Sequence, residues 1–320
     1  MSETQFASEP LRALELYCGI GGFAAALETI DGVATEVVTA VDIHRGALEV
    51  YGCNFRHPTR VAHIDSLPPA TLRSLDASLW WMSPPCQPFT RRGLQRDTED
   101  PRAQGFLRLV ETLGRVRPRY VAMENVPGFQ GSRTHARLRE VLDDAGYRVR
   151  EHLLCPTELG LPNRRRRFYL TAARGPTSSS PRPFPLPSPE LRPLGELLDT
   201  DPEPGLEADP ELLHRYRHAI DVVDADDPAA LTATFTSAYG RSPVRSGSFL
   251  RQRDGSIRHF SPREILRLLG FPETYRLPSD LPRNRVWRLV GNSLSLPPVR
   301  AALRAGLPEA LERAAPSLPR

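Results

Sequence analysis

One short run of residues carries the strongest chemical signal in this chain. Residues 83–90 read Ser-Pro-Pro-Cys-Gln-Pro-Phe-Thr and follow Ser78 to Met82, an apolar run that predicts a strand. Two prolines stiffen the turn and would hold Cys86 in a fixed direction. Ligands bind at the carboxyl edge of an α/β sheet, and a thiolate activated there by nearby cations or a helix N-terminus is a nucleophile. The alternative is a buried, inert cysteine, against which the polar neighbours Ser83 and Gln87 argue.

A carboxylate and a group of arginines could assist such a thiol. Glu124 ends the predicted strand Tyr120 to Met123, and a desolvated carboxyl group there can donate a proton. Its alternative role is that of a surface or helix-capping residue. Four arginines (164–167) begin a further predicted strand, in which alternation puts Arg165 and Arg167 on one side. A solvated basic edge or a phosphate contact is the alternative for them.

A glycine-rich turn lies near the start of the chain, between a predicted strand and a predicted helix. It comprises Tyr17, Cys18, Gly19, Ile20, Gly21 and Gly22. Glycines let a backbone approach a ligand closely, and a helix N-terminus favours negative charge. The next predicted strand leads to Asp42, about where a doubly wound fold places a ribose-binding carboxylate. A tight turn with a purely structural role is the alternative.

The elements that would position these residues alternate between strand and helix. Predicted strands cover 13–17, 36–41, 61–64, 78–82, 120–123 and 167–172, and predicted helices cover 23–30, 47–55, 104–113 and 133–145. This rhythm predicts an α/β fold with a doubly wound, mostly parallel sheet. Seven prolines between Pro176 and Pro193 indicate an extended linker. Ser261 followed by Pro262 predicts a helix start, and residues 299–305 predict a short helix.

Composition excludes several classes of function. All 42 basic residues of the 320 are arginine, so lysine Schiff-base chemistry and a lysine-dependent phosphate loop are excluded. The four cysteines form no CxxC pair, which predicts no metal site and no disulfide framework, and favours a cytoplasmic location. No apolar run approaches about 18 residues and the N-terminus lacks signal-peptide character, so we expect no membrane contact.

The net charge of +4 conceals two opposite blocks. Residues 196–227, the acidic block, hold eleven acidic residues and two arginines, a net charge of −9. Residues 241–304, the basic block, hold thirteen arginines and four acidic residues, a net charge of +9. The basic block predicts a phosphate-binding surface, while a solvated face is the commoner role of an acidic run.

Taken together and in this order, the motifs resemble the DNA cytosine-5 methyltransferase family. The glycine-rich turn resembles its first motif, Pro84-Pro85-Cys86-Gln87 its nucleophile motif and Glu124-Asn125-Val126 its proton-donor motif. Asn163 to Arg167 resembles its arginine motif, with Asn163 in place of glutamine. The stretch 258–272 and the turn 291–293 resemble its last two motifs, so the resemblance spans about residues 12–300.

The resemblance implies a mechanism and a set of sites. Catalysis would run through Cys86, Glu124, Arg165 and Arg167, with S-adenosyl-L-methionine as cofactor and no metal. Cofactor-binding residues would be Tyr17, Cys18, Gly19, Ile20, Gly21, Gly22, Asp42, Asp65, Ser66, Ser83 and Ser293. Residues that contact nucleic acid would be Gln87, Arg91, Arg92, Arg241 and Arg245, and residues 90–104 would form a mobile loop over the site.

The resemblance also implies three segments and a substrate. Residues 1–175 would form the catalytic and cofactor-binding domain, 176–286 the linker and a smaller target-recognition domain, and 287–320 a return to the catalytic domain. Details such as Met82-Ser83 and the short recognition segment are similar to the branch that methylates tRNA. Where that branch usually has Cys-Phe-Thr, this chain has Thr234-Phe235-Thr236. A DNA methyltransferase and a catalytically silent nucleic-acid-binding relative are the alternatives.

Overall fold

A computed structural model describes residues 9–90, 97–175, 189–308, 310 and 311. The strands are β1 (Leu11–Leu16), β2 (Thr35–Asp42), β3 (Thr59–Val61), β4 (Leu79–Met82), β5 (Tyr120–Asn125), β6 (Tyr147–Leu154), β7 (Arg167–Arg174), β8 (Asp221–Asp224), β9 (Ser248–Arg251) and β10 (Ile257–His259). The helices are α1 (Gly22–Glu28), α2 (Arg45–Asn54), α3 (Pro69–Ser74), α4 (Pro101–Val116), α5 (Arg133–Asp144), α6 (Pro210–Arg215), α7 (Pro262–Leu268), α8 (Arg283–Gly291) and α9 (Leu296–Gly306).

A seven-stranded sheet organises the larger part of the molecule, in the order β3-β2-β1-β4-β5-β7-β6. The strands β1 to β5 pair in parallel, whereas β7 runs antiparallel to both β5 and β6. The predicted doubly wound, mostly parallel α/β sheet is therefore confirmed. The strand order reverses between β1 and β4, and such a reversal opens a crevice at the carboxyl ends of the strands.

Helices cover both faces of this sheet, which explains the buried central strands. Every residue of β4 and β5 is buried, as expected for strands between two helical layers. Side chains of α1, α2 and α9 share one apolar core with one face of the sheet. Side chains of α3, α4 and α5 form a second core against the opposite face.

Three predictions of secondary structure need correction. The strand expected over 61–64 is instead β3, which is exposed, followed by a 3₁₀ turn at Ile64–Ser66 in which the Ile64 side chain turns into the core. The edge strand β6 was missed because its sequence carries polar residues on both faces. The loop expected over 90–104 ends earlier, because Asp100 caps α4 and Pro101 occupies its first turn. Residues 91–96 of that loop and most of the proline-rich segment, 176–188, lie outside the described residues.

A second, three-stranded sheet with the order β10-β9-β8 forms the smaller part. The helix start predicted at Ser261 is confirmed, since Ser261 and Glu264 form a reciprocal capping box at the start of α7. The last helix, α9, packs against α1 and β7 of the large sheet. The boundaries at residues 175 and 286 stay predictions. Among the described helices, none combines the length and the apolar character needed to span a bilayer.

Candidate active site

The four residues proposed for catalysis meet at one edge of the large sheet. Cys86 follows β4 and Glu124 lies near the end of β5. Because β7 is antiparallel to β5, with Glu124 opposite Tyr169, the start of β7 lies at the carboxyl edge of its parallel neighbours. The reversal of β7 thus brings Arg165 and Arg167 to the residues that follow β4 and β5.

The Cys86 turn is held from the neighbouring strand and leaves the thiol partly accessible. The Asn125 side-chain amide donates to the Pro84 carbonyl at 3.2 Å, which fixes the proline turn against β5. Cys86 is half-buried, in contrast to the buried Cys18 and Cys155. Burial and the charge of Glu124 raise the pKa of the Cys86 thiol, while Arg167 and Arg165 lower it. The arginines offset part of the cost of forming a thiolate.

Glu124 is a buried carboxyl group beside one arginine. Its Oε1 lies 3.3 Å from Nε of Arg167, and their side chains are 11% and 16% exposed. Burial raises the pKa of Glu124, whereas Arg167 and Arg165 lower it. A carboxyl group whose neutral form is favoured by burial can serve as a proton donor. The alternative role as a surface residue does not fit this position.

Arg165 holds three parts of the chain together. Its guanidinium donates to the Phe235 carbonyl at 2.8 Å and to the Ser293 carbonyl at 2.5 Å. Arg165 is 5% exposed, and burial together with Arg167 lowers the pKa of its guanidinium to about 9. Arg164 and Arg166 are exposed, so the predicted alternation of faces is confirmed.

Asn163, which stands where the resemblance expects glutamine, connects the same segment to the smaller part. Its side-chain amide donates to Thr232 Oγ1 at 2.9 Å and to the Ala233 carbonyl at 3.0 Å. Asn163 is fully buried. The segment 232–235 is therefore fastened directly to the arginines that precede β7.

The glycine-rich turn lies beside the point where the strand order reverses. The Gly19 amide donates to the Asp42 carboxylate at 2.8 Å, and the Ser83 hydroxyl donates to the Tyr17 carbonyl at 3.0 Å. A Cβ on Gly21 would come within 2.4 Å of Phe55, so packing accounts for that glycine. Gly19 has φ +54° and open space around it, which leaves its backbone accessible to a ligand.

Several polar groups near this turn suit a cofactor that carries a carboxylate and a nucleoside. The Ser293 hydroxyl is buried, has no hydrogen-bond partner among the described residues and lies against Gly22. Burial is the main cause that raises the pKa of Tyr17, and the charges of Asp65 and Asp42 raise it further, which indicates that both carboxylates lie near it. Asp65 is paired with Arg108, and Ser66 donates to the His63 carbonyl. Within the turn, the side chains of Cys18 and Ile20 are buried.

The residues proposed for nucleic-acid contact are dispersed. Gln87 is exposed next to Cys86. Arg241 is exposed and donates to the Ser237 carbonyl at 2.9 Å, while Arg245 lines a cleft with Thr234 and Thr236. The predicted Arg91 and Arg92 lie outside the described residues.

That the basic block forms a phosphate-binding surface stays a prediction, and ion pairs engage at least five of its arginines. These pair with carboxylates, most of them in the acidic block: Arg251 with Asp224, Arg253 with Asp226, Arg258 with Glu264, Arg267 with Asp199, and Arg283 with Glu203. The two blocks attract each other in three dimensions, which the sequence did not reveal because the partners are separated along the chain.

Two further residues near the site were missed. Arg102, in the first turn of α4, is held by Asp100 at 2.7 and 2.9 Å, and the pKa of its guanidinium is raised by Asp100 and, less strongly, by Cys86. Glu15 lies fully buried behind the glycine-rich turn, where burial raises its pKa to about 8 and Tyr51 donates to it at 3.0 Å. The Asp-Pro-Arg sequence was the available signal for Arg102. A carboxylate inside a predicted buried strand was the signal for Glu15.

The chain is similar to known proteins over most of its length. The family model for C-5 cytosine-specific DNA methylases matches residues 11–212 and 211–306. A Bos taurus tRNA (cytosine(38)-C(5))-methyltransferase is 30% identical over 90% of this chain and 97% of its own length. A Dictyostelium discoideum DNA (cytosine-5)-methyltransferase is 29% identical over 92% of this chain and 94% of its own length. The crystal structure of S. pombe Dnmt2 methyltransferase superposes with a TM-score of 0.81 at 30% identity, over 95% of this chain and 99% of that one.

Proposed function

This chain belongs to the C-5 cytosine-specific DNA methylase family and is a cytosine-5 methyltransferase, and from that premise we propose that its substrate is tRNA. The observation that carries the proposal is full-length similarity to relatives named as tRNA cytosine-5 methyltransferases, which reaches 32% identity with the one from Schizosaccharomyces pombe. The convergence of Cys86, Glu124 and Arg167 at one sheet edge supports retained catalysis. It argues against a silent relative, in which at least one of these groups would be missing.

In the proposed mechanism, Cys86 is the nucleophile and Glu124 is the proton donor. The Cys86 thiolate adds to carbon 6 of cytosine, and Glu124 donates its proton to ring nitrogen N3. The ring electrons then accumulate at carbon 5, which becomes enamine-like. A bound methyl donor would supply the methyl group to which carbon 5 then bonds. Loss of the carbon-5 proton to water, departure of the Cys86 thiolate and return of the N3 proton to Glu124 then restore the aromatic ring and give 5-methylcytosine. The target base must first leave its stack to reach these groups.

The electrostatic coupling of the two groups supports this division of roles. The Glu124 charge opposes a thiolate at Cys86, so a protonated Glu124 makes the thiolate easier to form. The same protonated Glu124 is the form that can donate. The active pair is therefore a thiolate beside a neutral carboxyl group, with Arg167 and Arg165 supplying positive charge.

We assign different duties to the two arginines. Two nitrogens of Arg165 already donate to the Phe235 and Ser293 carbonyls, so Arg165 is a positioning residue that joins the small sheet and the late turn to the site. Arg167 keeps part of its guanidinium exposed beside Glu124. It is the group we propose to hold the base carbonyl oxygen and orient the ring.

The methyl donor that we propose is S-adenosyl-L-methionine, which supplies an electrophilic methyl group when bound. The unpartnered Ser293 hydroxyl and the accessible Gly19 backbone suit its amino-acid part. Asp42, Asp65 and Ser66, at the ends of neighbouring elements, suit its nucleoside. Tyr17 and Ser83 support the turn between them.

The experiment that tests the substrate uses purified full-length protein and methyl-labelled donor. It is incubated in parallel with total tRNA and with duplex DNA, and label in each polymer is counted after nuclease controls. We expect label in tRNA. The Dictyostelium relative named as a DNA methyltransferase makes DNA the second candidate, and label in DNA alone would refute the tRNA proposal.

A further inference from the structure

A short basic and aromatic stretch interrupts the acidic block. Residues 214–218, which we call the basic strip, read His-Arg-Tyr-Arg-His. The first two are the last residues of α6, and the other three follow it. All five residues are exposed, and Tyr216 is one of the few large hydrophobic residues with an exposed fraction as high as 37%. The amides of Ala219 and Ile220 both donate to the Tyr216 carbonyl, which fixes the turn that carries the strip.

The arginines of this strip differ from those of the basic block. Arg251 and Arg253 are paired with Asp224 and Asp226. Among the ion pairs of the described residues, none includes Arg215 or Arg217, although eleven carboxylates surround them in the sequence. Their positive charge is therefore available to a ligand.

The strip ends in a cleft. His218 lines this cleft of about 380 Å³ together with Thr234, Thr236 and Arg245. Asp221 also lines the cleft, but its carboxylate accepts from the Ser248 hydroxyl and lies 3.6 Å from Arg164. The size is within the range of pockets that hold small organic ligands, roughly 300–1,000 Å³.

The cleft lies next to the segment that holds the positioning residue Arg165. Thr234 and Thr236 flank Phe235, whose carbonyl accepts from Arg165 at 2.8 Å. The Thr234 hydroxyl donates to the Arg164 carbonyl. A ligand in the cleft would thus contact the segment 234–236, whose Phe235 carbonyl holds Arg165.

The chemistry of strip and cleft matches one nucleotide of a single strand. An exposed tyrosine offers a surface on which an unstacked base can lie, and guanidinium groups bind the phosphates on either side. Threonine hydroxyls and a histidine ring can hydrogen-bond a base edge. A duplex can place a base in this cleft only if it first unpairs and unstacks that base.

We infer that the basic strip and the adjoining cleft form a subsite for an unpaired nucleotide that flanks the target cytosine in an RNA loop. This inference rests on the proposed tRNA substrate. It adds a recognition element that acts on a neighbouring nucleotide and leaves the chemistry at Cys86 unchanged.

The test compares three single variants, Tyr216→Ala, Arg217→Ala and Arg245→Ala, with a matched control. The control is Arg253→Ala, which removes another exposed arginine from the same region, but one that is paired with Asp226. Binding of fluorescent single-stranded RNA, tRNA and duplex DNA is measured by anisotropy over a series of salt concentrations. Methyl transfer to tRNA is measured with the same proteins.

We expect the subsite variants to bind single-stranded RNA and tRNA roughly tenfold more weakly, since loss of one stacked base has about this effect. The KM for tRNA should rise in parallel, while kcat and the KM for the methyl donor stay within twofold. Each arginine variant should also flatten the dependence of log affinity on log salt by about 0.7. The control should match wild type.

Two outcomes would overturn the subsite. Variant affinities for RNA within twofold of wild type would show that the strip makes no contact. Equal weakening on duplex DNA would show a general electrostatic patch without a nucleotide pocket. Because these measurements give binding constants, they test the subsite independently of methyl transfer. They remain valid even if label appears only in DNA, which is the result that would refute the tRNA substrate.

Discussion

The edge of the large sheet and the charged region that follows it handle charge in opposite ways. At the sheet edge, Cys86, Glu124, Arg165 and Arg167 share one partly buried space, and each alters the protonation of its neighbours. In the charged region, acidic and basic side chains from separate blocks are matched pair by pair. The most buried of these ion pairs, Arg258 with Glu264, lies within the basic block, and its side chains are 6% and 0% exposed.

The difference separates charges that build the fold from charges available for function. In a buried ion pair, the attraction between the two charges offsets part of the cost of removing them from water. Because each charge is already engaged by its partner, such a pair contributes little to ligand binding. Groups without an opposite charge as partner, such as the Cys86 thiol or the arginines of the basic strip, can still interact with a substrate. Net charge along the sequence is thus a poor guide to the binding surface here.

The largest effect should come from removing the nucleophile. Cys86→Ala leaves no group to add to carbon 6, so we expect methyl transfer to fall by at least about 10⁴-fold in a labelled-donor assay. The control is Cys53→Ala, which removes an exposed cysteine outside the site and should leave the rate unchanged. A Cys86→Ala rate within a few-fold of wild type would reject the assigned nucleophile.

Glu124→Gln tests the second group of the sheet edge. Glutamine keeps the shape but has no acidic proton that it can transfer to N3, so kcat should fall by roughly 10²–10⁴-fold while tRNA affinity stays within a few-fold. Glu158→Gln, which alters an exposed carboxylate beside Arg166, is the matched control. Loss of tRNA affinity with unchanged kcat would instead assign Glu124 to binding.

Glu264→Gln should lower the stability of the charged region and leave the catalytic groups unchanged. Glu264 accepts from Arg258 at 2.7 and 2.8 Å and from the amides of Asp199 and Ser261. Breaking a buried ion pair leaves one charge uncompensated, so the free energy of unfolding should fall by about 3–5 kcal/mol in urea titrations. A loss below 1 kcal/mol would mean that the pair is not buried in solution.

The smallest effect is a change in pH dependence caused by Glu15. Its pKa of about 8 in the folded chain exceeds the ordinary value of 4.5, so the folded state binds more protons than the unfolded state between these values. The free energy of unfolding should therefore fall by up to about 1.4 kcal/mol per pH unit as pH rises towards 8. Above pH 8 both states are ionised and this slope disappears.

Comparing unfolding of wild type and Glu15→Gln at pH 6 and pH 8 isolates this contribution. The variant should lose less stability between the two pH values than wild type does. Glu36→Gln, which changes an exposed carboxylate paired with Arg12, should retain the wild-type dependence. The same pH dependence in all three proteins would show that Glu15 is ionised when folded.

Local sequence was sufficient where the signal is local. The proline turn around Cys86, the glycine-rich turn and the start of α7 at Ser261 follow from backbone preferences of neighbouring residues. The central strands β4 and β5 follow from continuous apolar runs. The edge strand β6 was missed because residues such as Arg148 and Glu151 mask the apolar pattern.

What the amino-acid sequence determined by itself is the set of reactive groups and the α/β order of the elements that carry them. The tertiary structure decided which of these groups meet. The antiparallel return of β7 brings Arg167 to Glu124, a long-range contact joins Arg165 to Phe235 and Ser293, and the basic block finds its counter-charges in the acidic block. The physical reason is that strand direction and ion pairing depend on distances through space, whereas sequence patterns report only the preferences of residues that are neighbours along the chain.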